Sequence, residues 1–437
     1  MNNTIYIIGA GAVGKTLAVS LSLEGKKVVL LRGRIDNGSS FTETITVIYN
    51  GTTRLEASVN IDTISNFENF EGLVVLTNKS YGNKSLAKKL VDKSKDTPLV
   101  ILQNGLNIEQ PFIDEGFSEV YRCVLFMTGQ INSSNEISYK PVAVSPIGTI
   151  KSSNSSLTAI VESLISSHFE FRAENNIQKI IWEKAIANSV FNSICPLLEA
   201  DNGIFHRQKS VLKMAQRVIA ECHQIATLKG VTLNIQDIEQ RVLQISEKSD
   251  GQLISTLQDI KNGRKTEIDT LNLEFSRIAS ELGMENGIKE TSLLGELVKI
   301  KSEASLKKYK LNHMPTKEFI ENFIRAVEEL PHDQVIKKFY ADDASIQENQ
   351  GEPRIGIDSL IENERNMLKK ARKVKSECIR PFFHEGKNVV IRWKFQFEWL
   401  DGSTTQIEEM AHQTWKGDKI YKEQFFYDPK QFIPKKL

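Results

Sequence analysis

Apolar residues in the first 170 or so positions come in short runs, separated by stretches with helical spacing. Thr4-Ile5-Tyr6-Ile7-Ile8 is an apolar, β-branched run and predicts a buried strand. A glycine-rich turn and an amphipathic stretch ending at Gly25 follow, and then a second strand at Lys27-Val28-Val29-Leu30-Leu31. Gly72-Leu73-Val74-Val75-Leu76 and Pro98-Leu99-Val100-Ile101-Leu102 read as two more strands, divided by a Lys-rich helical stretch from Ser85 to Lys93. Strand and helix alternating in this way predict βαβ units and a parallel sheet.

From about residue 175 to 306 the pattern is helical. Ser210 is placed to cap a helix with Leu212, Ala215, Ile219, Cys222 and Ala226 on one face and Gly230 as its stop, and Ser255 to Leu282 continues in the same style. A polar stretch, Leu306-Lys307-Lys308-Tyr309-Lys310, leads to Pro315. Beyond it Phe319, Ile320, Phe323, Ile324, Val327 and Leu330 make one helical stripe. After Lys387 the period changes to two: Val389, Ile391, Trp393, Phe395, Phe397 and Trp399 alternate with polar or smaller residues, and strands follow at about 403–415 and 419–427. Helices first and antiparallel strands after predict an α+β tail. The expected division is 1–172, 173–306, a linker at 307–316, and 317–432.

Composition narrows the class of partner. Of 437 residues, 56 are basic and 55 acidic, and the tail from Pro315 holds 21 of each, so neither part offers the one-signed field that nucleic acid or an anionic membrane requires. The four cysteines, Cys123, Cys195, Cys222 and Cys378, are too far apart for a zinc knuckle or a CxxC pair and fit reduced thiols. No apolar run has the length of a spanning helix, and no basic residue precedes the apolar N-terminus, so a cytoplasmic protein without a metal is expected.

Gly9-Ala10-Gly11-Ala12-Val13-Gly14-Lys15-Thr16 fits two phosphate-binding motifs, GxGxxG and GxxxxGK[ST]. Both present backbone N–H groups at a helix N-terminus to phosphate oxygens. The triphosphate loop needs a Mg²⁺-holding acid at a strand end. The predicted strands end instead in Arg32, Thr77-Asn78 and Gln103-Asn104. Small residues at 10 and 12 suit close approach of a pyrophosphate, and Arg32, 18 residues after Gly14 and with Arg34 close by, stands where a dinucleotide site reads the ribose. An arginine there suits the 2′-phosphate of NADP. The dinucleotide reading is favoured; the triphosphate loop and a turn without ligand are its alternatives.

Lys184, Asn188 and Asn192 recur at i, i+4 and i+8 and share one helical face, among Trp182, Ile186, Val190, Phe191 and Ile194. One reading is a solvated face. The other is a lysine and two carboxamides donating to an oxo acid, since asparagine is a poor helix former and two in register need a reason.

These motifs stand in the order found in the ketopantoate reductase family, which residues 1–305 resemble. Gly9 to Gly14 resembles its cofactor loop, and Arg32 its phosphate-reading arginine. Asn78-Lys79-Ser80-Tyr81 and Gln103-Asn104-Gly105 resemble its two turns at the nicotinamide end, which Lys79 and Asn104 would border. Lys184, Asn188 and Asn192 match its catalytic lysine and two asparagines, Asn202 a further substrate asparagine, and Ser255 and Glu267 its substrate serine and active-site glutamate. The resemblance implies a Rossmann domain and an all-α domain enclosing a cleft, NADPH as cofactor, and reduction of a 2-oxo acid. Lys184 would be the general acid, Glu267 would hold the substrate hydroxyl and orient the lysine, Ser255 would take the carboxylate, and Asn188, Asn192 and Asn202 would add hydrogen bonds. Reduction of a different 2-oxo acid, or an NADP sensor signalling through its tail, are the alternatives.

The tail extends about 130 residues past that family's usual end. It resembles the nuclear transport factor 2-like, SnoaL-like fold, an α+β cone in which His412, Glu409 and Tyr427 would line a pocket or belong to surface and core. Its apolar strand face must be covered by helices or by a second copy, which makes a homodimer an expectation.

Overall fold

The computed structural model describes residues 4–33, 36, 38–133, 135–152, 156–312 and 314–435. The chain divides into two compact units, Met1–Glu303 and Ala304–Leu437.

The first unit is built on an eleven-stranded sheet. The four predicted strands are present and lie together. Thr4–Ile8 runs parallel between Val28–Leu31 and Gly72–Leu76, and Leu99–Ile101 and Val120–Cys123 continue the parallel order. Ile5 and Ile7 face one core with Leu17 and Leu21 of the helix Ala12–Leu23. Tyr6 and Ile8 face the other with Leu86 and Leu90 of the helix Asn83–Ser94. Burial on both faces is why these strands read as unbroken apolar runs. Ile8 pairs with both Leu31 and Leu76, and Leu76 with Ile101. This register brings Gly9, Arg32, Thr77 and the Gln103–Asn104 turn to one edge of the sheet.

The sheet is mixed rather than wholly parallel. Phe41–Tyr49 and Thr53–Asp62 form an antiparallel hairpin whose second strand runs parallel to Val28–Leu31. Met127–Ile131 and Glu136–Pro141 extend the sheet beyond that hairpin, and Ser145–Lys151 is antiparallel to Val120–Cys123. Thr53–Asp62 ends in a carboxylate, Asp62, so the expectation of strand ends without Asp is corrected.

The helical part packs around Ile177–Leu198, whose Trp182, Ile186, Val190, Phe191 and Ile194 are buried with Phe205 and Phe275. The expected helix at 210–230 is Lys209–Leu228; Ser210 lies inside its first turn and Gln208 is the cap position. The stretch 255–282 is not continuous helix. Ser255–Lys261 stops before Gly263, which has φ +57°, and Asn272–Glu281 begins after a 3-10 turn at Ile268–Thr270. The helix Lys289–Asn312 occupies most of the stretch expected as a linker.

The second unit carries helices Lys317–Glu329, His332–Phe339 and Ile357–Leu368 on one face of a six-stranded sheet. Ile320, Phe323, Ile324 and Val327 are buried as the stripe predicts, while Phe319 and Leu330 at its edges are exposed. The alternating strand is Asn388–Trp399; the Phe323 ring meets Trp393 and Trp415 at 6.3 and 5.5 Å. Helices of the same chain therefore cover the apolar face. Three strands escaped the sequence reading, Tyr340–Glu348, the two-residue Arg354–Ile355 and Ala371–Glu385. The first pairs parallel with Lys419–Phe426, so this sheet too is mixed. All four cysteines are buried and unpaired. No helix among the described residues is long and apolar enough to cross a membrane.

Candidate active site

The glycine loop has the close packing that its spacing implies. Gly9 has φ +123°, and a Cβ there would stand 2.5 Å from the Asn78 nitrogen; a Cβ on Gly14 would stand 1.9 Å from the Gly9 oxygen. Gly11 by contrast faces open space and precedes the helix Ala12–Leu23 without a side-chain cap. First-turn N–H groups with open space before them fit a pyrophosphate. The triphosphate reading fits poorly. Lys15 is buried and donates to Glu43 at 3.2 Å, and Thr16 is fully buried rather than open to a metal ion.

Arg32 is half-buried at the neighbouring strand end. Its guanidinium donates to the Ser39 oxygen and hydroxyl, both at 2.5 Å, and lies 5.3 Å from the Phe41 ring. Arg34 falls outside the described residues. Asp62 borders this turn, yet its carboxylate already accepts from Ser40 (2.9 Å), the Thr63 nitrogen (2.7 Å) and Asn66 (2.7 Å).

Across the cleft of the same unit, Lys184 and Asn188 line a pocket with Asn104. Lys184 Nζ donates to the Leu125 carbonyl at 2.6 Å and lies 5.6 Å from the centre of the Phe126 ring. Burial above all pushes the ammonium down to about 8, with Arg122 acting the same way and Cys123 and Glu267 opposing. A group that titrates there can hold and release a proton near neutrality. The periodic face is thus not a solvated one at Lys184.

Asn192 is turned into the fold. Its amide donates to the Asn188 carbonyl at 3.0 Å, and its oxygen accepts from Thr256 at 2.7 Å and Ser255 at 3.4 Å. It fixes the start of the helix Ser255–Lys261, and Ser255 is its partner rather than a cap. Asn202, 7% exposed, keeps a side-chain oxygen without a partner among the described residues. Glu267 is held by the other lobe: Lys79 Nζ donates to it at 3.1 Å, the Ser80 nitrogen at 3.1 Å and the Ser80 hydroxyl at 3.0 Å. Lys79 also reaches Asp259 at 3.2 Å, whose second oxygen accepts from Arg264 at 2.9 Å. Burial works against the Lys79 charge, and the Glu267 and Asp259 carboxylates outweigh it and raise its pKa. The hydrogen bonds of Glu267 go to Lys79 and Ser80, and only its charge acts on Lys184.

Sequence reasoning missed Arg122. It is 2% exposed, forms an ion pair with Glu109 and donates to the Gly105 carbonyl at 2.9 Å. Gly105 has φ +120°, and a Cβ there would stand 2.6 Å from the Thr270 hydroxyl. The turn that carries Asn104 is thereby clamped from both sides.

Residues 5–145 match the family model described as ketopantoate reductase PanE/ApbA, and residues 176–302 the model of that family's C-terminal part. The chain is 28% identical over 285 residues to the 2-dehydropantoate 2-reductase of Pyrococcus abyssi (strain GE5 / Orsay), covering 64% of this chain and 92% of that one. It is also 28% identical over 303 residues to the Pyrococcus horikoshii enzyme of the same name, covering 68% and 97%. Among solved structures, D-mandelate dehydrogenase with NADH and anilino(oxo)acetate aligns with a TM-score of 0.60 at 22% identity, over 69% of this chain and 99% of that one. A dimeric ketopantoate reductase from Staphylococcus aureus aligns with a TM-score of 0.58 at 19% identity, over 69% and 99%. At these identities the structures speak for the fold.

Proposed function

Because this chain belongs over residues 5–302 to the ketopantoate reductase family, we propose that it reduces 2-dehydropantoate to (R)-pantoate with NADPH, a step of pantothenate biosynthesis. The observation that carries the reading is Lys184: a lysine lowered to about 8, in a pocket it shares with Asn104 and Asn188. NADPH, when bound, supplies the hydride for the keto carbon. The open N-terminus at Gly11 would hold its pyrophosphate, and Arg32 its 2′-phosphate. The Lys184 ammonium stabilises negative charge on the carbonyl oxygen and gives it a proton as general acid. Asn188, Asn202 and Ser255 donate to the substrate, and Asn192 holds Ser255 in place. Lys79 and Asn104 border the nicotinamide end, and Glu267 ties the lobes together through Lys79 and Ser80. The tail, by its sequence resemblance, takes the nuclear transport factor 2-like cone, and the whole works as a soluble cytoplasmic enzyme; helices of the same chain cover the tail's apolar face, so that face does not call for a homodimer.

Reduction of another 2-oxo acid is the second reading. It is favoured by the engagement of Glu267 with Lys79 and Ser80, which leaves that carboxylate committed before a substrate hydroxyl arrives. NADPH oxidation by the full chain, with 2-dehydropantoate and with 2-oxo acids lacking its hydroxyl, separates the two. Lys184→Ala should lower kcat by about 10²–10⁴-fold and leave NADPH binding intact. Turnover of 2-dehydropantoate by that variant at the unmodified rate would remove Lys184 from the chemistry.

A further inference from the structure

The second unit contains a cavity of about 110 Å³ that the reductase reading does not use. Its walls are the rings of Phe323, Trp393 and Phe395, and its polar end is formed by Glu348, Glu364 and Glu423 with Arg354 and His332. Of His412, Glu409 and Tyr427, expected either to line a pocket or to belong to surface and core, none lines this cavity, and His412 is exposed on the strand Thr404–Lys416. A dry cavity of about 150 Å³ accommodates benzene. This smaller space takes a single ring only because it opens to solvent, so that the rest of the ligand lies in its mouth, in the mixed apolar and polar setting that small ligands occupy.

The charges choose among such bodies. Arg354 is paired with Glu348 at 2.8 Å. His332 stands between Glu364 at 3.1 Å and the Ser376 hydroxyl at 2.8 Å. Glu423, 3% exposed, has only neutral donors within hydrogen-bond reach: Gln413 at 2.6 Å and the Tyr340 hydroxyl. Glu409 makes no hydrogen bond or ion pair among the described residues, and it interacts with the charges of Glu348, Glu423 and Glu364. One arginine and one histidine thus face three carboxylates in the cavity wall, with Glu409 a fourth negative charge near them, in surroundings where an unpaired charge is costly. Burial pushes Glu423 up to about 7, and burial with its like-charged neighbours pushes Glu409 up to about 8. Among the described residues no group of three or more His, Cys, Asp or Glu is arranged to hold a metal ion.

We propose that this cavity is a binding site for a small organic amine, with a single aromatic or similar apolar body against the Trp393 and Phe395 rings and its ammonium at Glu423. The ammonium supplies the cation that Glu423 lacks, and the rings add a favourable face to a cation or an aromatic body. An anion of the same shape meets carboxylates, and a neutral analogue keeps only the wall contacts.

The test is calorimetric titration of the full chain at pH 8 with three probes of one shape: 2-phenylethylamine, 2-phenylethanol and 3-phenylpropionate. The amine should bind at least about tenfold more tightly than the alcohol, and the carboxylate most weakly. Glu423→Gln should cut amine affinity by about tenfold and leave the alcohol unchanged, while Phe395→Ala should weaken both. If Glu423→Gln does not fold, Glu423→Asp, which keeps the charge and shortens its reach, should show the same selective loss for the amine. Equal affinity for amine and alcohol, tighter binding of the carboxylate, or no binding of any probe at about 10 mM overturns the proposal.

Discussion

Arg122 and Glu109 form a buried ion pair behind the pocket that holds Lys184, and the same guanidinium grips the Gly105 carbonyl at 2.9 Å. The pair joins the strand Val120–Cys123 to the loop after Asn104, so it sets the height of the turn on which Asn104 stands. Breaking one side of such a pair strands the other charge in the interior, at a cost of about 3–5 kcal/mol. Arg122→Met should therefore lower the thermal midpoint of the reductase unit markedly, and the double variant Arg122→Met/Glu109→Leu should recover most of the loss. A single variant as stable as the parent would show that the turn does not depend on the pair.

With Lys184 as the proposed general acid, its value of about 8 predicts a pH limit for the reaction. A general acid must be protonated to act, so reduction should be full below about pH 7, halved near pH 8 and fall by about tenfold per unit beyond pH 9. The reverse oxidation needs the neutral amine and should rise across the same range. A lysine of ordinary pKa, near about 10.4, would keep reduction flat to pH 9 or beyond. Profiles of kcat/KM from pH 6 to 10 in both directions read this directly.

Arg32 should select the phosphorylated cofactor. Its guanidinium stands half-buried at the end of the strand Val28–Leu31, and the nearby Asp62 carboxylate is already shared by three donors. A charge-assisted pair of this kind contributes about 1.5–3 kcal/mol, or roughly ten- to a hundredfold. We expect NADPH to be preferred over NADH by that factor and Arg32→Ala to erase the preference with little change in NADH efficiency. Equal kcat/KM for both cofactors in the parent chain would exclude this role.

For Glu267 the structure alters the expectation that the resemblance alone would give. A carboxylate reserved for the substrate hydroxyl would make Glu267→Ala selective against 2-dehydropantoate. A carboxylate tied to Lys79 and Ser80 makes the variant loosen the lobes for every substrate. We expect kcat/KM to fall by about ten- to a hundredfold, to the same extent for 2-dehydropantoate and for a 2-oxo acid without the hydroxyl. A loss confined to the hydroxylated substrate would return Glu267 to substrate recognition.

What the chain discloses locally, its sequence discloses well. Gly9, Gly11 and Gly14 are legible because their spacing is itself the motif, although only Gly14 meets its steric limit within a few residues, at the Gly9 oxygen; Lys184, Asn188 and Asn192 are legible because a helix brings every fourth residue to one side. The hairpin strand with Leu55, Ala57, Val59 and Ile61 carried a plain period of two and was open to the same reading. Arg122 with Glu109, Glu267 with Lys79, and His332 with Ser376 and Glu364 were not. Each joins elements distant in sequence, and no local spacing records which strand end or helix turn will stand opposite. Asn192 shows the limit from the other side: its face was read correctly, but which neighbour claims its amide depends on Ser255 and Thr256, more than sixty residues away.

The strand Lys419–Phe426 lies inside the second sheet, between Tyr340–Glu348 and Thr404–Lys416. During synthesis, then, the tail waits for almost its whole length before its middle can be filled, whereas every strand of the first sheet has emerged once Phe171–Ala173 is made. The reductase part can mature on the ribosome while the tail is still an open template with two unsatisfied strand edges. A frameshift or nonsense change near residue 418 would trim few residues and yet leave a sticky, unfinished sheet attached to a finished enzyme.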